Sequence, residues 1–391
     1  MELSSRLTNI TGGGSDGWAV FYRARRMIDA GLTVTELTIG EHDIRTHDSI
    51  LAAMNLSAMG GHTGYAEVPG TADLRDLVAA RVAKRTGVPT TADNILITPG
   101  GQAGLFAAHL AACNPGDPAL FIDPYYATYP GTIRAVGAEP VPVQTRPENG
   151  FQPGKAALDA AAAGAASLLI NTPNNPTGAV YSRDTLTGVA EICHAHDLWL
   201  ISDEVYDTQV WEGTHISPRS LPGMVERTLL VGSMSKSHAM TGSRIGWVCA
   251  PEPVITHLIN LATHTTYGVP GFVQDAAAFA LQQGSAFEEA VGAPFARRRA
   301  LTLAALKGQN IVQPVPVQGA MYAMLDIRAT GLSGEAFANG LLDAEHIAVM
   351  PGESFGKAAA GHVRVAMTID DDAYVAALNR LVAFAASQVS Q

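Results

Sequence analysis

"GSMSKSHAMTGSRIGW", residues 232–247, is the stretch of this 391-residue chain that decides the predicted fold. Apolar runs stand on both sides of it, TLLV at 228–231 and IGWVCA at 245–250, and each has the composition of a buried strand. The polar stretch, with its lysine, Lys236, and its arginine, Arg244, therefore joins two pieces of core. It predicts that an amine, a guanidinium and several hydroxyls gather at the end of a buried strand.

The composition excludes several classes of protein. Hydrophobic residues make up 47% of the chain, which is enough for a large core, and the formal net charge is −11. An acidic chain without a basic face is not expected to bind nucleic acid, and no window approaches the run of about eighteen apolar residues that a membrane span needs. Three widely spaced cysteines suit a reducing compartment. We therefore expect a soluble, cytoplasmic, globular protein of two or three domains.

Short apolar runs alternate with helix-like segments in the middle of the chain. The runs lie at 94–98, 119–122, 167–170, 198–201 and 228–231. Buried runs separated by helices predict an α/β fold, in which a mainly parallel sheet is flanked by helices on both faces. The C-terminal third has two long helical patterns, at 285–308 and 370–388, with strand-like segments between them. This third predicts a smaller α+β domain.

Each apolar run is followed by a cluster of polar, aromatic or glycine residues. In open α/β sheets, ligands bind at the carboxyl ends of the strands, so the clusters predict one composite site. Its candidate residues are Gly100, Gly101, Gln102, Tyr126, Asn175, Asp203, Tyr206, Ser233, Ser235, Lys236 and Arg244.

The candidate side chains suit four chemical groups. Glycines that open a helix offer free N–H groups to a phosphate, to which Ser233, Ser235 and Arg244 add further donors. Asp203 would be costly if buried alone, and a protonated ring nitrogen would relieve that cost. A desolvated Lys236 is biased toward the free amine that attacks an aldehyde. Contacts to a phenolic oxygen and to an aromatic face are offered by Asn175, Tyr206 and Tyr126. Phosphate, pyridinium, phenolate and aldehyde together describe pyridoxal 5′-phosphate (PLP).

Five segments resemble the motifs of class I/II aminotransferases, in the fold-type I PLP family and the aspartate aminotransferase superfamily. SMSKSHAMTGSRIGW is similar to S-x-S-K-x-x-x-x-x-G-x-R-x-G, NTPNNPTG to N-x-P-x-N-P-T-G, and DEVY to D-x-x-Y. YAEVPGTADLR, at 65–75, is similar to Y-x-x-x-x-G-x-x-x-L-R, and VRVAMT carries the family's late arginine, Arg364. The motifs occur in the family's order and cover nearly the whole chain.

The resemblance implies a role for each matched residue. Lys236 would form a Schiff base with the cofactor and move the proton at the substrate α-carbon, with Asp203 and Tyr206 as the other catalytic residues. The cofactor would be bound by Gly100, Gly101, Gln102, Tyr126, Asn175, Asp203, Tyr206, Ser233, Ser235, Lys236 and Arg244. The substrate would be bound by Gly40, Asn175 and Arg364. Tyr65 would reach the phosphate of a neighbouring subunit, which implies a homodimer with active sites at the subunit interface.

The resemblance also implies an activity and a domain plan. The activity is the transfer of an amino group between an α-amino acid and a 2-oxo acid by a ping-pong mechanism. The plan is a large PLP-binding domain, 46–284, and a small domain, 285–391, to which an N-terminal segment, 1–45, contributes. A PLP-dependent carbon–sulfur β-lyase on the same fold is an alternative, and a non-catalytic PLP-binding regulator is another.

Some segments depart from the family pattern or invite a different interpretation. GEHDIRTH, at 40–47, has His42 where proline is usual, and Gly101 stands where many relatives have serine or alanine. We expect these changes to alter the substrate mouth. GGGSDG, at 12–17, resembles a phosphate loop, but no strand precedes it, so a mobile N-terminal segment is expected. The histidines of CHAHD and EHDIRTHD lack the spacing of a zinc site, and no metal is expected.

Overall fold

The computed structural model describes residues 1–13 and 17–389, so that residues 14–16 of the segment expected to be mobile lie outside the described residues. No helix in these ranges is both long and apolar enough to cross a lipid bilayer.

The α-helices are α1 (Ser5–Thr8), α2 (Ala19–Asp29), α3 (Asp48–Met59), α4 (Ala72–Thr86), α5 (Gly101–Ala112), α6 (Tyr129–Ala135), α7 (Lys155–Ala162), α8 (Arg183–Ala195), α9 (Met234–Ser237), α10 (Glu252–Thr263), α11 (Gly271–Gln282), α12 (Ser285–Ala305), α13 (Gly334–Glu345) and α14 (Asp371–Val389). The strands are β1 (Thr35–Glu36), β2 (Ile95–Thr98), β3 (Pro118–Asp123), β4 (Glu139–Gln144), β5 (Ser167–Asn171), β6 (Trp199–Asp203), β7 (Thr228–Ser233), β8 (Gly246–Cys249), β9 (Gln313–Val315), β10 (Tyr322–Asp326), β11 (Ile347–Ala348), β12 (Met350–Pro351) and β13 (His362–Ala366).

Strands β2 to β8 form one seven-stranded sheet in the order β2-β8-β7-β6-β5-β3-β4. Strand β8 is antiparallel to both of its neighbours, and the other neighbouring pairs are parallel. Successive side chains of a strand pack into different apolar clusters, Leu120 and Leu168 on one face and Phe121 and Leu169 on the other. The sheet is therefore covered on both faces, and the predicted fold class is confirmed.

Two local predictions differ from the structure. Strand β4, EPVPVQ, has no counterpart among the predicted strands, because proline cannot donate to a ladder. The structure tolerates Pro140 and Pro142 because β4 is last in the strand order and pairs with β3 at the edge of the sheet. The alanine-rich composition of AALDAAAAGAA, at 156–166, predicts a helix, but α7 ends at Ala162, and Gly164 follows with a left-handed φ of 74°.

A second sheet, β12-β13-β10-β9, is antiparallel and packs against α13 and α14 around its own apolar cluster. The N-terminal segment joins this part of the molecule. Strand β1 pairs in parallel with β11, and the Leu37 N–H donates to the Ala348 carbonyl at 2.9 Å. Both ends of the chain therefore build the smaller α+β part, while the boundaries at residues 45 and 284 stay predictions.

The stretch 232–247 joins the antiparallel strands β7 and β8, in which Ser233 pairs with Gly246. Between them the chain forms α9, whose first turn is capped by the Ser233 hydroxyl, which accepts a backbone N–H at 3.0 Å. Gly246 has no room for a side chain, because a Cβ there would lie 2.9 Å from the Gly101 nitrogen. The N-terminus of α5 therefore lies close to the end of β7, the strand that precedes α9.

Candidate active site

A cavity of about 300 Å³ lies where the strand ends of the large sheet meet residues of the smaller sheet. It brings together all the predicted site residues except Gly100 and Tyr65. Those that line it are Gly40, Gly101, Gln102, Tyr126, Asn175, Asp203, Tyr206, Ser233, Ser235, Lys236, Arg244 and Arg364. The clusters that follow separate strands therefore meet in one place.

Gly100 and Tyr65 lie outside this lining for different reasons. Gly100 has a φ of 83°, and a Cβ on it would lie 2.4 Å from Arg244 Nη2, so its missing side chain makes room for the guanidinium. Tyr65 is 90% exposed and packs edge to face on Tyr267, with ring centroids 5.1 Å apart. In this chain, Tyr65 therefore faces solvent.

Lys236 lies in α9, and its Nζ donates a hydrogen bond to the carbonyl oxygen of Gly40. Burial lowers the pKa of Lys236, and the guanidinium groups of Arg364 and Arg244 act in the same direction, whereas the charge of Glu41 opposes the shift. A lowered pKa increases the share of neutral amine near neutral pH. The neutral amine is the form that attacks a carbonyl carbon.

Asp203 ends β6 and is only 4% exposed. Its Oδ2 accepts a hydrogen bond from the Tyr129 hydroxyl at 2.6 Å, and its Oδ1 accepts one from the Val205 N–H at 3.3 Å. Burial raises the pKa of Asp203 to about 6, although both hydrogen bonds act in the opposite direction. A cation in the cavity would stabilise the ionised carboxylate, so Asp203 suits a protonated ring nitrogen.

Tyr129 is a candidate residue that the motifs do not single out. It begins α6, three positions after Tyr126, and the two rings meet edge to face with centroids 5.8 Å apart. Its partner Asp203 is 74 positions away, so no local pattern indicates the contact. The available signal is the third tyrosine of DPYYATYP, at a spacing that places it on the same side of a helical turn as Tyr126.

Arg364, on β13, is 1% exposed and lies between two aromatic rings. Its guanidinium carbon is 4.3 Å from the ring centroid of Tyr322 and 4.4 Å from that of Phe355. Nη1 donates to Asn175 Oδ1 at 2.8 Å and Nη2 donates to the Thr38 carbonyl, whereas the buried Nε has no partner among the described residues. A buried guanidinium with a free N–H is suited to bind a carboxylate.

Tyr322, on β10, is a second residue that the motifs miss. Its hydroxyl lies 3.1 Å from the Tyr206 hydroxyl and 3.5 Å from Asn175 Nδ2. Gly40 has to be a glycine beside it, because a Cβ there would lie 1.8 Å from the Tyr322 hydroxyl oxygen. The segment GAMYAMLDI predicts a strand, but the contacts of Tyr322 are with residues 116 and 147 positions away.

Hydrogen-bond donors for an anion gather at the N-terminus of α5. The helix begins at Gly101, and beside it lie Arg244 and the hydroxyls of Ser233 and Ser235, which are 2.9 Å apart. The side-chain amide of Gln102 is engaged by two threonine hydroxyls, at 2.7 and 3.1 Å, so that the residue offers its backbone N–H to a ligand. A helix N-terminus with hydroxyls and a guanidinium suits a phosphate.

His42, the departure from the family pattern, is 9% exposed and packs edge to face on Phe295 with ring centroids 5.2 Å apart. Burial, together with the charge of Lys236, lowers the pKa of His42 to about 4. The imidazole is therefore neutral near pH 7 and packs as an aromatic ring. Across residues 1–13 and 17–389, no group of three or more potential metal ligands occurs.

These residues fit PLP. The Asp203 carboxylate suits the ring nitrogen, the Lys236 amine suits the aldehyde, and the α5 N-terminus with Arg244 suits the phosphate. The free N–H of Arg364 adds a place for the carboxylate of an amino acid. Fold and site together define a PLP-dependent enzyme of amino-acid chemistry.

The chain belongs to the aminotransferase class I and II family, whose model matches residues 31–381. It is 40% identical over 392 residues to the arginine–pyruvate transaminase AruH of Pseudomonas aeruginosa, with 100% of each chain covered. It is 35% identical over 369 residues to the aspartate/prephenate aminotransferase of Thermus thermophilus, with 93% of this chain and 94% of the relative covered. The structure of Thermus thermophilus aspartate aminotransferase with maleate superposes with a TM-score of 0.91 at 33% identity, covering 98% of this chain and 100% of that one.

The protein is therefore a PLP-dependent aminotransferase that moves an amino group between an α-amino acid and a 2-oxo acid. The predicted family, cofactor and activity are confirmed. The names of the relatives do not favour the β-lyase alternative.

Proposed function

We propose that Lys236 forms the covalent link to the cofactor aldehyde and that one cavity carries both half-reactions in turn. The observation that carries the proposal is that the Lys236 amine, the Asp203 carboxylate and the Arg364 guanidinium line the same cavity. When bound, PLP supplies an aldehyde that bonds amines and a protonated ring that withdraws electrons from the substrate α-carbon. The chain's own side chains bind, orient and move protons around it.

Lys236 accepts the proton of the substrate α-carbon and returns it. Its lowered pKa suits this work, because the neutral amine accepts a proton and the ammonium donates one. Asp203, with its hydrogen bond from Tyr129, keeps the ring nitrogen protonated. Tyr206 and Asn175 contact the ring oxygen.

The remaining site residues hold the two ends of the bound molecules. Tyr126 stacks on the cofactor ring, and Arg364 with Gly40 and Asn175 binds the substrate α-carboxylate. Asn175 already accepts a hydrogen bond from Arg364, which orients both side chains. The phosphate is held by the backbone of Gly101 and Gln102 and by Ser233, Ser235 and Arg244, with Gly100 leaving room for the guanidinium.

The charges around the cavity favour a basic or uncharged donor side chain over an acidic one. Within one subunit, the described cationic side chains of the lining are Lys236, Arg244 and Arg364, and each has a role above. Glu41 also lines the cavity and adds a negative charge, its Oε1 accepting a hydrogen bond from the Thr241 hydroxyl at 2.8 Å. One relative is named an arginine–pyruvate transaminase. We therefore propose a basic amino acid as donor and pyruvate as acceptor.

Mixing the purified holoenzyme with single amino acids, in the absence of an acceptor, tests this proposal. We expect arginine to change the cofactor absorbance about tenfold faster than aspartate, because an acidic side chain would face the charge of Glu41. Pyruvate added afterwards should restore the starting spectrum. In Glu41→Gln, the rate with arginine should exceed the rate with aspartate by a smaller factor. Faster reaction of aspartate would contradict the donor class, and pyruvate release from a β-substituted donor without an acceptor would indicate a lyase.

We further propose a homodimer, in which Tyr65 contacts the phosphate bound by the neighbouring subunit. Helix α3 exposes Leu56 at 75% and Met59 at 82% of their surfaces, and the exposed pair Tyr65–Tyr267 adds aromatic surface. Large apolar side chains exposed together are typical of protein interfaces. This surface is the one that we expect a second copy of the chain to cover.

Replacing Tyr65 with phenylalanine should weaken PLP binding about tenfold, because one hydrogen bond to the phosphate is lost. The dissociation constant is measured by fluorescence titration of the apoenzyme, and analytical ultracentrifugation should show a dimer throughout. Tyr22→Phe, on the exposed side of α2, is the matched control and should leave the constant unchanged. A monomeric enzyme, or unchanged affinity in Tyr65→Phe, would refute the arrangement.

We also propose a reducing, cytoplasmic location. Cys113, Cys193 and Cys249 are all unpaired and buried. Burial raises the pKa of Cys249 to about 11, which keeps that thiol protonated and unreactive.

A further inference from the structure

Asp123 ends β3 and reaches a turn of the smaller part of the molecule. It is 1% exposed. Its Oδ2 accepts the Lys357 N–H at 3.1 Å and its Oδ1 accepts the Ala358 N–H at 3.2 Å. These residues belong to the segment 352–359 between β12 and β13, called the 352–359 turn below. A carboxylate of the large sheet therefore holds a turn that precedes the strand of Arg364.

Further contacts fix both sides of this junction. The Tyr125 N–H donates to the Phe355 carbonyl at 2.9 Å. The carbonyl of Asp123 itself accepts the Thr145 hydroxyl at 2.7 Å, which holds the residue to the sheet. Gly356 has a φ of 114°, and a Cβ on it would lie 2.1 Å from Asp123 Oδ1, so the approach of the carboxylate requires a glycine. The 352–359 turn is thus tied closely to the end of β3.

The 352–359 turn carries one of the two rings that enclose Arg364. The Phe355 ring centroid lies 4.4 Å from the guanidinium carbon. On the other side of the junction, Tyr126 follows Asp123 by three positions and lines the cavity. Asp123 therefore connects the segment that carries Tyr126 to the turn that carries Phe355.

We propose that Asp123 is a positioning residue for substrate binding, which holds Phe355 against Arg364 and so fixes the guanidinium where the α-carboxylate binds. The inference rests on the proposed role of Arg364. Asp123 touches neither cofactor nor substrate and acts through the turn alone. Its loss should therefore weaken the binding of both the amino acid and the 2-oxo acid, while the proton transfers at Lys236 continue.

Protonation of Asp123 should have the same effect as its loss. Burial raises the pKa of Asp123 to about 6, against the two N–H donors and the nearby charge of Lys357. The other titratable group beside it is the Tyr125 phenol, whose pKa is raised. Above pH 6 the ionised carboxylate accepts both N–H groups, and below it one oxygen carries a proton that opposes an N–H. We expect KM to rise as the pH falls through about 6.

The experiment compares Asp123→Asn with Glu353→Gln in the holoenzyme. The amide of Asp123→Asn places an NH₂ against one N–H donor, so we expect KM for both substrates to rise about tenfold, with kcat and the cofactor spectrum unchanged. The dissociation constant for propionate, which cannot react, should rise by the same factor. The rise of KM as the pH falls through about 6 should be absent from this variant. Glu353 lies in the same turn, but its Oε1 accepts the Gly334 and Gly361 N–H groups at 2.9 and 3.2 Å. A glutamine keeps that acceptor, and KM should not change.

A second variant, Gly356→Ala, pushes the turn away from Asp123 and should raise KM in the same way if the fold is kept. Unchanged KM in Asp123→Asn, a fall in kcat or cofactor affinity instead, or failure of both variants to fold would overturn the inference. Arg364→Gln separates it from the proposed function. If Arg364→Gln raises KM while Asp123→Asn does not, the inference alone fails. If Arg364→Gln leaves KM unchanged, the role of Arg364 fails.

Discussion

Lys236→Ala is expected to abolish transamination, with kcat lowered by at least about 10⁴-fold, because one amine both links the cofactor and moves the proton of the α-carbon. The phosphate and ring contacts do not involve Lys236, so the variant should still bind PLP. Rapid mixing of the PLP-loaded variant with an amino acid, followed by absorbance, measures the half-reaction. The product amino acid or 2-oxo acid is quantified separately by chromatography.

The control for Lys236→Ala is Lys307→Ala, which removes an exposed lysine two residues after the end of α12. It should leave kcat and the spectrum unchanged. A small amine such as methylamine, added to Lys236→Ala, should restore part of the proton-transfer rate, since it can occupy the space of the missing side chain. Near-native turnover in Lys236→Ala would refute the assignment of the catalytic amine.

Asp203→Asn should lower kcat about 10²–10³-fold, because a neutral amide cannot hold the ring nitrogen in its protonated form.

Ionisation of the buried Asp203 carboxyl is itself unfavourable when no cation lies beside it. Its folded pKa of about 6 lies above the ordinary value of 3.8, so the stability gained from its protonation is present at low pH and lost as the pH rises through 6. The difference between these two pKa values corresponds to about 3 kcal/mol of folding free energy. A cation on the ring removes this cost, which favours PLP binding in its protonated form.

The matched variant is Tyr129→Phe, which removes the 2.6 Å hydrogen bond and leaves the carboxylate in place. The hydrogen bond lowers the pKa of Asp203, so its loss raises that pKa and should reduce kcat by about tenfold at most. Absorbance of the bound cofactor against pH reports the ring protonation in all three proteins. Full activity in Asp203→Asn would show that the ring nitrogen has another partner.

The elements of the fold that could be predicted are those with a local cause. Runs such as TLLV are apolar throughout because both faces of a central strand are buried, and Gly87 ends α4 with the left-handed φ of 71° that glycine permits. Strand β4 was not predicted, because its two prolines argue against a central strand, whereas a strand at the edge of a sheet tolerates them. Its existence depends on its position in the sheet, which no local pattern carries.

The same distinction applies to the candidate site. Asp203 ends β6, Lys236 lies in the short helix after β7, and Arg244 lies just before the antiparallel strand β8. All three therefore lie at the edge of the sheet where the parallel strands end, and the topology predicts their convergence. Tyr129, Tyr322 and Asp123 act through partners 74, 116 and 234 positions away. Such contacts depend on how the two sheets pack against each other, and a single sequence does not specify that geometry residue by residue.

The parallel pairing of β1 with β11 has a consequence for biosynthesis. Thr35 leaves the ribosome long before its partner Ile347 is made. The N-terminal segment therefore cannot form its strand pairing until roughly the last eighth of the chain has been synthesised. Gly40, whose carbonyl accepts the bond from Lys236, lies only a few residues beyond that early strand. Premature termination before residue 347 would therefore leave a nascent product with its seven-stranded sheet but without a finished catalytic centre.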